Sequence, residues 1–191
     1  MRLVTTLFAT SKGLITFGRG NSAFTNNDLT SNPSQAAIAP LWDDWRTDLD
    51  SNDAVYAAVI PDPFNPGFLQ VVVRWELIQH FSSSPSTVTF EAVLSEFDDS
   101  IQFNYVDLAT GDFNAEGASA TVGIKGSGVQ GPDRVLVSFN DGANPLVGSG
   151  QSLRILPPSG TSTALVTRNT PTDTDLIVDL TSLDLSEAIS R

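Results

Sequence analysis

The sequence predicts an all-β protein: a single antiparallel β-sandwich of roughly nine to ten strands, followed by a linker and a short C-terminal tail. Three observations carry this. Apolar and polar residues alternate with period two in most segments. Clusters of Gly, Pro, Asn and Asp separate those segments, and such residues end strands because Gly reaches positive φ and Pro fixes φ. Nothing before residue 175 carries a convincing helical pattern. The expected boundaries are 1–156 for the sandwich, 157–174 for a Pro/Ser/Thr-rich linker, and 175–191 for a tail or the start of a following module.

The elements follow in order. Met1 to Ala9 is too short and too polar for a signal peptide and reads as a strand. Leu14, Ile15 and Phe17 form a short apolar strand bracketed by Gly13 and Gly18. Segment 24–37 offers at most one turn, with Asn26, Asn27 and Asp28 as caps. In the strand that follows, Ile38, Pro40 and Trp42 share a parity, which favours burial of Trp42. Ala54 to Ile60 is the next strand, closed by Pro61-Asp62-Pro63 and Asn65-Pro66-Gly67. Val71, Val73, Trp75 and Leu77 then alternate with Gln70, Val72, Arg74 and Glu76. Val88, Phe90, Ala92 and Leu94 mark one face of a strand, and Ile101, Phe103 and Tyr105 mark its hairpin partner across an acidic turn. Val122 with Ile124, Val135 with Val137 and Phe139, and Gln151 to Leu156 complete the set. The expected core is Phe17, Trp42, Val73, Trp75, Phe90, Leu94, Ile101, Phe103, Val122, Ile124, Val137 and Phe139.

Charge and composition narrow the function. The net charge is −12 and the only lysines are Lys12 and Lys125. Such a surface repels phosphate backbones, which argues against nucleic acid as a partner. No run approaches the ~20 apolar residues of a membrane helix, so membrane insertion is not expected. With no cysteine and one histidine, His80, thiol nucleophiles and zinc sites are improbable. No serine sits in a G-x-S-x-G elbow. The expectation is therefore a protein that is not an enzyme and has no resident cofactor.

Two clusters are candidates for binding. Trp42-Asp43-Asp44-Trp45-Arg46 could offer a sugar platform, with Trp45 stacking on a ring and Asp43 or Asp44 fixing its hydroxyls. The simpler reading is a strand end with Trp42 in the core and solvated acids. Asp48, Asp50 and Asp53 place alternating oxygen donors on one loop, where a calcium ion would relieve their mutual repulsion. The loop lacks the glycine and the distant glutamate of an EF-hand, and a solvated acidic loop is the simpler reading. Asp98 and Asp99 are expected as turn residues.

Several segments together resemble the nidogen-like domain. Lys12-Gly13-Leu14-Ile15-Thr16-Phe17-Gly18 is similar to its opening strand, with Lys12 where Asn is usual. Ile38-Ala39-Pro40-Leu41-Trp42-Asp43-Asp44 resembles its Trp-Asp signature. Val71-Val72-Val73-Arg74-Trp75-Glu76, Thr89 to Leu94, Ser100 to Tyr105 and Ala120 to Ile124 resemble its later strands, in the same order. The resemblance is closer to modules of large bacterial surface proteins than to animal basement-membrane proteins. It implies a structural or adhesive module of a secreted or cell-surface protein, whose partner would be an extracellular protein or a glycan. Two other readings stay open: a carbohydrate-binding module using the Trp42–Arg46 region, and a self-assembling surface or filament subunit. If the protein is secreted, its signal lies outside this chain, which points to a piece of something longer.

Overall fold

In a computed structural model, residues 6–49, 52–82, 86–126, 134–142 and 146–157 are described in full, and residues 164–169 and 176–178 by their backbone. Thirteen strands and no helix occur among the described residues. They form two antiparallel sheets. The smaller contains β1 (Leu7–Thr10), β2 (Leu14–Phe17), β3 (Ala37–Trp42), β9 (Thr121–Lys125) and β10 (Arg134–Phe139), in that spatial order. The larger has eight strands. Across it run β13 (Leu176–Val178), β12 (Ala164–Asn169), β11 (Gln151–Ile155), β8 (Ile101–Asp107), β7 (Thr87–Ser95), β6 (Leu69–His80) and β4 (Trp45–Arg46). The remaining strand, β5 (Ala54–Pro61), pairs with β6 along eight residues. The expected linker thus contains β12 and the expected tail contains β13, both continuing the larger sheet beyond β11.

The core lies between the sheets. Ile15, Ile38, Val122, Ile124 and Val135 of the smaller sheet meet Val73, Trp75, Phe90, Phe103 and Ile155 of the larger. Trp75 and Phe90 stack with ring centroids 4.9 Å apart. Each such side chain contributes about 1.5–3 kcal/mol by leaving water.

Most of the expected core residues are buried, and the clearest exception has a physical cause. Phe17, Leu94 and Val137 are half-buried at the core's margin, and Phe139 is 37% exposed. A bulge between Leu136 and Ser138 shifts the pairing of β10 on β9. An inserted residue reverses the alternation beyond it, so Ser138 turns inward and Phe139 outward. A second bulge, between Trp75 and Ile78, buries Ile78 and leaves Leu77 40% exposed with φ 52°. The amide of Leu77 is satisfied at the bulge, donating to Thr89 Oγ1 at 3.2 Å.

A third register shift, between Ala39 and Trp42 of β3, sends Trp42 to the opposite side from Ile38. Trp42 is buried as expected, but in a second cluster with Leu14, Leu29, Ala37 and Ala39. The loop over residues 18–36 covers that outer face. It is fastened at several points: Trp42 Nε1 donates to Ala23 O at 3.0 Å, and Thr121 Oγ1 donates to Asn27 O at 2.8 Å. Lys125, 3% exposed, donates to the carbonyls of Thr30 and Pro33.

Gly13 stands where no side chain fits. Its φ is 72°, and a Cβ there would lie 2.1 Å from the carbonyl oxygen of Leu41. The β1–β2 turn therefore presses directly on β3. Beside it, Lys12 Nζ donates to Asp44 Oδ1 at 2.6 Å and to Trp45 O at 2.8 Å.

Candidate functional site

The Trp42–Arg46 corner is a structural junction. Trp45 is completely buried, its Nε1 donates to Leu41 O at 2.7 Å, and its ring meets His80 edge-on at 5.3 Å. No face of Trp45 is open for a sugar ring, so the expected platform is corrected: β4 pairs with the end of β6, which directs Trp45 into the core. Asp43 is 6% exposed. Its Oδ1 accepts from the amide of Asp44 at 2.8 Å and its Oδ2 from Ser119 Oγ at 2.6 Å. Asp44 is engaged by Lys12.

His80 completes this junction. It is 6% exposed, and its Nε2 lies 3.3 Å from Asp43 Oδ1. The contact has ion-pair distance without hydrogen-bond alignment, for Nε2 makes no hydrogen bond among the described residues. On the other side of the ring, Ser82 Oγ is 2.9 Å from Nδ1. By sequence alone His80, following a strand and preceding Phe81 and a serine run, reads as loop-facing. The bulge in β6 instead turns the end of that strand inward, placing His80 at the last position of β6 against Trp45.

Of the acidic loop, Asp48 and Asp53 are described, and each is engaged by a neighbour. Asp48 accepts two hydrogen bonds from the Arg46 guanidinium, at 2.9 and 3.1 Å, and these hold its carboxyl below the usual range. Asp53 is buried and its Oδ2 accepts from the amide of Leu49 at 3.0 Å. Asp50 lies outside the described residues. No three His, Cys, Asp or Glu side chains converge as metal ligands among the described residues. Next to this loop an open depression is walled by Phe24 and Phe81, which are 61% and 62% exposed.

A more enclosed groove of about 480 Å³ lies on the solvent face of the larger sheet. Residues directly opposite on paired strands share a face. Register therefore aligns two rows across the sheet. One is Tyr56, Arg74, Glu91, Asn104 and Ser152, and the next is Ala58, Val72, Val93, Gln102 and Arg154. The polar groups are linked. Gln102 Nε2 donates to Asn104 Oδ1 at 2.7 Å, and Asn104 Nδ2 donates to Glu91 Oε1 at 2.8 Å. Arg74 pairs with Glu76 and reaches Glu91 at 3.5 Å. At one end Arg154 pairs with Asp98. Burial pushes the Asp98 carboxyl up, but hydrogen bonds from Ser100 and the charge of Arg154 outweigh it and hold the group low.

The rim is aromatic and apolar. Phe64, 86% exposed, and Ile60, 39% exposed, line the groove, and Tyr56, 57% exposed, stands outside the lining on the same face of β5 as Ile60. Phe64 is positioned by a tight turn in which Asp62 Oδ1 accepts from the amides of Phe64 and Asn65 at 2.8 and 3.0 Å. Sequence reading did not find this site. Its residues are scattered along the chain, and only the strand register brings them together. The one local signal was the polar half of the alternation in β6, β7 and β8, which any solvent-facing strand would show.

A family model described as NIDO related matches residues 2–164. No curated protein matches the chain, and no solved structure matches it.

Proposed function

The chain belongs to the NIDO-related family, and from that premise we propose that it is a non-enzymatic structural and adhesive interaction module of a secreted or cell-surface protein. Domains of this family are extracellular in general. The observation that carries the adhesive reading is the solvent face of the larger sheet. Its groove has a half-buried polar floor and an exposed aromatic rim, the composition of recognition surfaces. Beads coated with residues 1–191 should adhere to an extracellular-matrix preparation. Tyr56→Ser with Phe64→Ser should remove most of that adhesion while leaving the melting temperature unchanged. Undiminished adhesion of the double variant would count against this face.

Self-assembly through strand edges is a second reading, favoured by β5. It spans eight residues from Ala54 to Pro61, contains no charged side chain, and leaves Tyr56, Val59 and Ile60 exposed. Uncharged exposed edges are what added strands pair with. Light scattering at high concentration should then reveal dimers or larger species that Val59→Lys dissolves. A monomer at every concentration would end this reading.

A further inference from the structure

Building on the groove as the recognition face, we infer that its ligand is a neutral saccharide chain, held across β6, β7, β8 and β11 by Gln102, Asn104 and Glu91 and flanked by Phe64. Charge supports this class. The groove face carries Arg74 and Arg154 against Asp62, Glu76, Glu91 and Asp98. It therefore has no cationic excess to attract sulfated or phosphorylated ligands, and the whole chain is at −12.

The acids are also already engaged, which disfavours a basic peptide. Asp98 is taken by Arg154, Glu91 by Arg74 and Asn104, and Asp62 by the amides of its own turn. A cationic side chain would have to displace these partners. A hydroxyl needs no such exchange. Gln102 and Asn104 each commit one amide hydrogen to the ladder, and each amide carries a second. A sugar hydroxyl both donates and accepts, so it can join such a ladder without breaking it. Glu91 and Asn104 face each other on neighbouring strands at ~4.8 Å, a spacing close to the length of one sugar ring, with Gln102 two residues away along β8. Phe64, exposed beside this floor, offers an apolar face to the C–H side of a ring. The volume of about 480 Å³ is in the range of small-ligand sites.

The test is calorimetric titration of residues 1–191 with neutral hexasaccharides of β-1,4-linked glucose, xylose and mannose. A heparin hexasaccharide and an oligo-arginine peptide serve as charged controls. At least one neutral chain should bind and the controls should not. Gln102→Ala with Asn104→Ala should weaken that binding at least tenfold with the melting temperature preserved. Val93→Trp, which fills the groove from an outward position, should abolish it. Phe81→Ala, at the open depression, should leave it unchanged. Binding of no neutral chain, or loss on Phe81→Ala and retention in the groove variants, would overturn the inference. Matrix adhesion that depends on Tyr56 and Phe64 without any saccharide binding would remove the saccharide and leave the adhesive module standing.

Discussion

At the scale of single residues, the β1–β2 turn packs on β3 at a position that admits only glycine. Gly13 combines positive φ with a backbone oxygen where a Cβ would lie. The obstructing atom belongs to a central strand and cannot swing away. Gly13→Ala should therefore destabilise the protein by about 3 kcal/mol or more in urea unfolding, whereas Gly18→Ala, with open space around it, should cost less. Asp98 is a different case. Its carboxyl is held below the ordinary range, so its charged form stabilises the fold above an ordinary Asp value of ~3.9 and that stabilisation is lost as pH falls through the lower folded value. Asp98→Asn should be less stable than the parent at pH 7. Urea melts should converge as the pH drops below ~4, and a gap that stays constant would show that the carboxylate charge is not what stabilises this turn.

At the scale of elements, bulges decide which side chains face the core. Phe103 of β8 is fully buried and Phe139 of β10 is 37% exposed, although both follow period-two alternation in the sequence. Phe103→Ala should cost about 3–5 kcal/mol. Phe139→Ala should cost about 1 kcal/mol or less, and thermal melts of the two variants would separate them. The all-β class, the strand positions and the β7–β8 hairpin were legible because alternation and turn residues are local. The parity of Leu77, Phe139 and Trp42 was not, because a bulge is fixed by pairing with a distant strand. The same limit hid the groove. Glu91, Gln102 and Arg154 carry no motif in the chain and meet only through register. Conversely, the contiguous acids near Trp45 suggested a site that packing disperses, with Asp43 toward Ser119 and His80, Asp44 toward Lys12 and Asp48 toward Arg46.

At the scale of the whole molecule, the described core, from Leu14 to Ile155, already draws on both sheets, and β12 and β13 extend the larger sheet outward from β11. Residues 1–157 should consequently fold cooperatively, and calorimetry should find a single transition within several degrees of the 191-residue chain. Loss of that transition would make β12 and β13 integral to the sandwich. The two lysines carry a last consequence for how the protein can be handled. Lys12 is tied to Asp44 and the Trp45 carbonyl, and Lys125 is enclosed beneath the 18–36 loop. An amine-reactive label thus finds its lysine targets occupied in the native state. The rate at which Lys125, separated from Lys12 by peptide mapping, becomes modified should then follow the opening of the 18–36 loop from the smaller sheet.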